Sequence, residues 1–116
     1  MTATSISQTL ITLLRNQEFL KAYQDLFSED AESIDPINPT PGPIKGLAKL
    51  IELEKQFLAK AKIRAITISE AIHSEAYFSI RLFMQFDING KESSINELCV
   101  YKVNAGKIIS QQFFIS

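Results

Sequence analysis

All four prolines of the chain fall within one stretch, residues 33–46, with the sequence SIDPINPTPGPIKG. Proline fixes φ and lacks a backbone N–H, so this stretch cannot form a helix or a central strand. We therefore predict a stiff, irregular arm that separates a helical first third from a strand-rich second half. Within this arm, Asp35 directly follows the apolar residue Ile34, a position from which its carboxylate can point inward.

Two helices are predicted before the arm. Ser5 or Ser7 can cap the first helix, and Asn16, which interrupts its pattern, can cap the second. The apolar positions of the first helix are Ile6, Leu10, Leu13 and Leu14. The buried face of the second comprises Phe19, Leu20, Tyr23, Leu26 and Phe27, which is typical helical spacing. Residues 28–30 then end this helix, and residues 31–34 can form a short strand.

A third helix is predicted after the arm, starting at Gly46. Its apolar stripe comprises Leu47, Leu50, Ile51, Leu53, Phe57 and Leu58. The charged residues Lys49, Glu52, Lys55 and Lys60 form the side that faces water. We interpret these charges as a solvated surface with no functional role.

From residue 62 onward the apolar residues recur with a period of two, which predicts strands. Residues 63–72 form the first of these strands, and residues 73–75 form a turn that exposes His73. Residues 76–88 form a long strand with one fully apolar face and one mixed face. Asn89-Gly90 predicts a tight hairpin after it, because a type I′ turn requires positive φ at both positions.

Two further strands complete a four-stranded antiparallel meander. One face of the first comprises Ile95, Glu97, Cys99, Tyr101 and Val103. Residues 104–106 form a turn into the second, residues 107–115. Long antiparallel strands twist and coil strongly. Three helices on one side of such a sheet give an α+β fold with a hollow between the layers, and hollows of this kind are usual ligand sites.

The composition excludes several classes of function. The chain has 116 residues and a net charge of −1, which predicts one domain, residues 1–116, without an electrostatic drive towards nucleic acid or membranes. A single cysteine, Cys99, and a single histidine, His73, exclude an internal disulfide and a His/Cys metal site. We expect neither metal nor cofactor. The N-terminus lacks the pattern of a signal peptide, so we expect a cytoplasmic protein.

Several segments in this order resemble the nuclear-transport-factor-2-like (NTF2-like) superfamily, in its SnoaL-like and ketosteroid isomerase-like branch. They are LFSEDA at 26–31, Asp35-Pro36, Gly46 and VYKVNAGKII at 100–109. The resemblance implies a cystatin-like cone, in which three N-terminal helices pack on a strongly curved, mainly antiparallel sheet around a hydrophobic pocket. The family includes isomerases, polyketide cyclases, dehydratases and epoxide hydrolases, and its members are usually dimers.

The resemblance also assigns positions in the pocket. Asp35 stands where ketosteroid isomerases carry the carboxylate that shuttles the proton. The tyrosine that donates to the oxyanion in those enzymes matches Ile11, and the protonated aspartate beside it matches Cys99. Neither residue can donate a strong hydrogen bond, so steroid isomerisation by the same machinery is not expected.

Three residues are therefore candidates for catalysis. Asp35 is a candidate general base for a proton α to a carbonyl, although an aspartate before proline is also a favourable turn residue. By the resemblance, Glu97 lies on the strand face that looks into the hollow, where an acid needs a partner or a role. The alternative is that the strand edge lets it reach water or pair with Arg81 or Lys91. Tyr101 can supply a hydroxyl donor, or be a core residue.

Five residues are predicted to contact a ligand: Leu53, Phe57, Cys99, Gln111 and Phe113. Cys99 is interpreted as a small buried hydrophobe. Gln111 can orient a ligand or hydrogen-bond Glu97 or Tyr101 across the sheet.

The mixed face of the long strand is more apolar than a solvated surface. It comprises Tyr77, Ser79, Arg81, Phe83 and Gln85, and such residues are enriched at interfaces. We expect a homodimer through this face. Two functions remain open: a cofactor-independent isomerase or cyclase acting on a small apolar molecule, and a non-catalytic dimeric module that binds a ligand or a protein.

Overall fold

The computed structural model of the chain describes residues 2–37 and 42–116. Its helices are α1 (Ala3–Arg15), α2 (Phe19–Leu26) and α3 (Leu47–Lys60). Its strands are β1 (Phe27–Ile34), β2 (Ile44–Lys45), β3 (Ala61–Ile68), β4 (Ile72–Ser74), β5 (Tyr77–Ile88), β6 (Lys91–Asn104) and β7 (Lys107–Ile115). The predicted α+β class is confirmed.

The strands form one curled, unclosed sheet in the order β2-β1-β7-β6-β5-β3, and β4 also pairs with β5. All described pairs are antiparallel except β1 with β7, which run parallel. The three helices cover one face of the sheet, and residues from both layers form one hydrophobic core. The predicted cone of helices on a mainly antiparallel sheet is therefore confirmed.

The long strand β5 shows why this half of the chain was predictable. Its residues alternate between the core and the outer face, and Phe78, Ile80, Leu82 and Met84 are buried. Asn89 and Gly90 have φ of 52° and 78°, as the type I′ hairpin requires. Ala105 and Gly106 form a second turn with positive φ, so β5, β6 and β7 follow one another as a meander.

The helix boundaries in the first third differ from the predicted ones. Thr2 caps α1 by accepting a hydrogen bond from Ser5 N at 3.1 Å, so neither Ser5 nor Ser7 is the cap. Asn16 ends α1 instead of starting α2, whose N-terminal cap is Glu18. Apolar spacing places the body of a helix, but several polar residues near its end can serve as the cap.

The strand β1 begins directly after α2, within a segment predicted to be helical. Phe27 is buried as the first residue of β1, and residues 28–30, predicted to end the helix, continue the strand. Position 27 satisfies both the helical and the strand spacing, so the apolar pattern cannot separate the two. The pairing with β7 shifts in register between Phe27 and Glu32, and the polar residues 28–30 lie within this irregular part of the strand.

The predicted strand at 63–72 is broken in two. β3 ends at Ile68, and Ser69 forms hydrogen bonds with the backbone of Arg81 through both its N–H and its hydroxyl. A side chain that bonds the backbone in this way competes with regular pairing. The chain then forms β4, so His73 lies in a strand opposite Phe78 and not in a turn.

The proline arm is shorter than predicted. Ser33 and Ile34 belong to β1, where Ser33 pairs on one side with Ile44 and on the other with Gln111. Gly46 has φ of 98° and precedes α3 as its N-terminal cap, as predicted. The arm's residues 38–41 lie outside the described residues. Among the described residues, no helix combines the length and the apolar character needed to cross a bilayer.

Candidate functional site

A cavity of about 270 Å³ lies between the helices and the inner face of the sheet. This volume is just below the range of about 300–1,000 Å³ that is usual for ligand pockets, so a ligand would be small. The apolar wall comprises Leu10, Leu14, Phe19, Ala22, Phe27, Ile37, Ile44, Leu50, Leu53, Phe57, Leu82, Met84, Ile95 and Phe113. The polar wall comprises Tyr23, Ser33, Asp35, Glu54, Glu97, Tyr101 and Gln111.

The three residues predicted as candidates for catalysis, Asp35, Glu97 and Tyr101, all line this cavity. Among the predicted ligand contacts, Leu53, Phe57, Gln111 and Phe113 also line it. Four elements bring these residues together: the end of β1, the helix α3, and the strands β6 and β7.

Asp35 sits immediately after β1, at the mouth of the proline arm. Its Oδ1 accepts a hydrogen bond from Ile37 N at 3.0 Å, which is the geometry of an Asx turn. The side chain therefore stabilises the turn and lines the cavity at once, and the two interpretations made from the sequence are compatible.

Glu97 lies in the middle of β6 and is only 9% exposed. The predicted pairing with Arg81 or Lys91 is wrong: Arg81 faces the other side of the sheet, where its Nε donates to Asn96 Oδ1, and Lys91 lies near the far end of the strand. The Sγ of Cys99 donates to Glu97 Oε1 at 3.6 Å. Burial, assisted by the charge of Asp35, raises the pKa of Glu97 to about 7.

Glu54 is a site residue that the sequence reasoning missed. It projects from α3 into the cavity, and burial, followed by the charge of Asp35, raises its pKa to about 7. A signal was present, because Glu54 follows Leu50 by four residues and precedes Phe57 by three, which puts it on the apolar stripe of the helix. A carboxylate inside that stripe differs from the solvated charges beside it.

Gln111 is held by a hydrogen-bond network that the sequence did not indicate. It is 3% exposed, and its Nε2 donates to the hydroxyl of Tyr23 at 2.9 Å and to Ser33 Oγ at 3.1 Å. The prediction that Gln111 bonds Glu97 or Tyr101 is therefore wrong. Burial raises the pKa of Tyr23 above its ordinary value, so its hydroxyl keeps a proton that can be donated into the cavity.

Tyr101 is both a core residue and a wall residue. Its ring stacks on Phe78, with centroids 5.0 Å apart, and meets Phe27 edge-on at 6.4 Å. Burial raises the pKa of its hydroxyl well above the ordinary value. The packing fixes the ring, so the hydroxyl has a defined position at the cavity.

Cys99 was predicted to contact a ligand, but it is fully buried and is not among the residues that line the cavity. Cys99 and Glu97 are two residues apart on the same face of β6, so the thiol lies beside Glu97 and donates to it. Burial also raises the pKa of the thiol, so it stays neutral. Ile11 is likewise a core residue outside the cavity wall.

The chain is thus a small α+β protein with a cone-shaped fold and a cavity lined by three acids. A family model for the SnoaL-like domain matches residues 1–115. The chain therefore belongs to the SnoaL-like domain family. No curated protein matches the chain significantly.

Solved structures share the fold at low sequence identity. A protein from Mesorhizobium loti, provisionally described as a SnoaL-like polyketide cyclase, has a TM-score of 0.91 at 17% identity, with 98% of this chain and 99% of that chain covered. A cystatin-like protein from Xanthomonas campestris has a TM-score of 0.82 at 17% identity, with 100% and 92% covered. A protein from Catenulispora acidiphila with a ketosteroid isomerase-like fold, in complex with trimethylamine, has a TM-score of 0.76 at 16% identity, with 100% of this chain and 88% of that chain covered.

Proposed function

We propose that the chain binds a small, largely apolar molecule in the cavity and transfers a proton on it by isomerase- or cyclase-type chemistry. The observation that carries this proposal is that three carboxylates, those of Asp35, Glu54 and Glu97, line one mainly apolar cavity. Carboxylates in such surroundings are suited to general acid–base catalysis near neutral pH.

The roles follow from the positions of the acids. Asp35 is the proposed general base, which removes a proton α to a carbonyl group and returns it at another carbon. Glu97, with a pKa of about 7, is protonated in a large fraction of molecules near neutral pH. In that state it can donate to the carbonyl oxygen, where developing negative charge needs a donor. Tyr101 is the proposed second donor.

Hydrogen–deuterium exchange tests this proposal without knowledge of the product. Small enolisable ketones are incubated with the protein in D₂O, and loss of the α-proton signal is followed by NMR. We expect catalysed exchange that falls at least about 100-fold in Asp35→Asn, because the amide cannot act as a base. Asp30→Asn, an exposed acid of β1, is the matched control.

The second candidate function is a non-catalytic ligand-binding module. It is favoured by Ile11 and Cys99, which stand where ketosteroid isomerases have their oxyanion donors and do not reach the cavity wall. Under this hypothesis the ketones bind, both in the native chain and in Asp35→Asn, but no exchange above the buffer rate occurs. That result would overturn the enzymatic proposal.

We also propose that the chain forms a homodimer through the outer face of the sheet. Arg81, Leu98 and Phe114 are neighbours across β5, β6 and β7. Leu98 is 45% exposed, Phe114 50% and Tyr77 46%. Together with Phe83, these four residues form what we call the outer patch. An apolar surface with an embedded arginine and aromatic rings is suited to a self-complementary interface.

A further inference from the structure

We propose that the cavity selects a small organic cation, a molecule that presents a protonated amino group to the carboxylates and an apolar body to the surrounding walls. This inference rests on the proposed function, since it assumes that the cavity is the ligand site. It adds the chemical class of the ligand.

In the part of the chain that the structure describes, the cavity wall carries acidic side chains but no basic ones. Asp35, Glu54 and Glu97 line the cavity, whereas no lysine, arginine or histidine of the described residues does. Both salt bridges found in the described part of the chain lie elsewhere, at Arg15 with Glu70 and at Arg64 with Asp87. A buried carboxylate without a counter-charge is unfavourable unless it takes up a proton or meets a cation. A ligand can bring the cation that the protein does not supply.

Glu97 is buried at the cavity with a weak hydrogen-bond donor beside it. It is nine-tenths buried and lines the cavity, and its hydrogen-bond partner among the described residues is a thiol at 3.6 Å. A thiol is a weak donor, so Glu97 retains most of its capacity to accept hydrogen bonds. Gln111 behaves similarly, because its two recorded bonds both use the Nε2 donor and leave its carbonyl oxygen as an acceptor.

The wall around the acids is rich in aromatic rings. The aromatic rings that line the cavity belong to Phe19, Tyr23, Phe27, Phe57, Tyr101 and Phe113. The face of an aromatic ring attracts an organic cation within about 6 Å of its centroid. Rings and carboxylates together therefore favour an ammonium group over a neutral group of equal size, and they disfavour an anion.

The placement of the three carboxylates suits an organic cation better than a metal ion. Hard metal ions require several oxygen ligands at about 2.0–2.6 Å from one point. Among the described residues, no three acidic, histidine or cysteine side chains are placed to hold a metal together. The three carboxylates thus share the cavity without converging on a point, which suits a cation that is several atoms wide.

Cation binding has a proton signature. The titratable groups that face the cavity are Asp35, Glu54, Glu97, Tyr23 and Tyr101. Because the pKa values of Glu54 and Glu97 are about 7, both carry protons in part at neutral pH. An ammonium group that enters the cavity lowers both pKa values and releases part of these protons. The donor to a carbonyl oxygen of the same ligand is then Tyr101, because burial raises the pKa of its hydroxyl and the hydroxyl keeps its proton. The tyrosines remain neutral. Affinity for an amine should therefore rise with pH through about 7, and protons should be released to the buffer.

The experiment uses four probes of similar size: cyclohexylamine, cyclohexanol, cyclohexanecarboxylate and cyclohexanone. Binding to the full chain is measured by NMR titration and calorimetry, in two buffers of different ionisation enthalpy. We expect the amine to bind at least about tenfold more tightly than the alcohol, which corresponds to about 1.4 kcal/mol. We expect the carboxylate not to bind, and the amine to release protons.

Isosteric variants locate the effect. Glu97→Gln and Glu54→Gln should each reduce the preference for amine over alcohol, measured as the ratio of the two dissociation constants, by about threefold or more. Glu52→Gln, an exposed acid on the same helix, should leave the preference intact. Spectra of each variant report whether it is folded, and the use of two independent variants keeps the test valid if one is not.

The outcomes separate this inference from the proposed function. If the amine and the alcohol bind equally, or the amine releases no protons, the cation preference is overturned, while binding of cyclohexanone in the cavity still supports the proposed function. If none of the four probes shifts the signals of cavity residues, both are overturned.

Discussion

At the scale of single residues, Glu97 shows how a fold can alter one acid. Its ordinary pKa is 4.5, and burial in β6 raises that value to about 7. Between these two pH values the unfolded chain gives up the proton while the folded chain keeps it. Folding stability contributed by this residue is therefore greatest at low pH, falls as the pH rises from about 4.5 to about 7, and is constant above that.

We predict that Glu97→Gln flattens this pH dependence. The variant should gain stability relative to the native chain as the pH rises, by a few kcal/mol at most between about pH 5 and about pH 8. Urea unfolding at the two pH values measures the difference. Glu92→Gln, an exposed acid on the same strand, is the control, and an unchanged pH slope in Glu97→Gln would contradict the prediction.

At the scale of secondary-structure elements, a polar contact joins α1 to β4. The hydroxyl of Ser7, fully buried in α1, donates to Thr4 O at 2.9 Å and lies 2.7 Å from His73 Nε2. The direction of the Ser7–His73 hydrogen bond depends on the tautomer of the imidazole. Because Ser7 is fully buried, a substrate cannot reach its hydroxyl. The serine–histidine pair is therefore a structural contact between two elements far apart in sequence.

A double-mutant cycle tests this connection. We expect His73→Ala and Ser7→Ala each to lower the free energy of unfolding, and a coupling energy of about 1 kcal/mol between them. Ser74→Ala, on the same short strand, is the control. A coupling energy near zero would show that the two elements are held by apolar packing alone.

The elements also show what the sequence could predict. β5, β6 and β7 were predictable because alternation and two-residue turns are local signals. The same alternation placed Glu97 on one strand face with Ile95 and Tyr101, and the family resemblance indicated that this face is the inner one. The start of β1 was not predictable, since Phe27 fits both the helical spacing and the strand spacing of apolar residues. Glu54 was missed because a charge on a helix usually faces water. The bonds of Gln111 to Tyr23 and Ser33 join residues 88 and 78 positions apart, and no local pattern encodes them.

At the scale of the whole molecule, the sheet has two distinct faces. The inner face carries the cavity, while the outer patch of Tyr77, Arg81, Phe83, Leu98 and Phe114 faces water in the single chain. Ile72, on the neighbouring strand β4, is 75% exposed and extends the apolar surface towards the sheet edge. Exposed apolar and aromatic residues that lie together on one face are typical of an association site.

We predict that the chain sediments as a dimer and that Phe83→Glu or Leu98→Glu makes it a monomer. A glutamate placed on the two-fold interface meets its own copy or an apolar surface and loses its hydration. Light scattering coupled to size-exclusion chromatography measures the mass. Lys49→Glu, an exposed residue of α3, changes the charge on the helical side and should leave the dimer intact; a native monomer at high concentration would refute the prediction.

The position of β7 has a consequence for biosynthesis. β7 alone joins the β2–β1 pair to the β6–β5–β3 part of the sheet. On a ribosome, the β5–β6 hairpin can form early, but β1 must wait for residues 107–115, which also bring Gln111 and Phe113 to the cavity wall. A nascent chain that stalls before β7 would expose two open strand edges, which are targets for aggregation and for chaperones. The cavity wall is therefore complete only once residues 107–115 have joined the sheet.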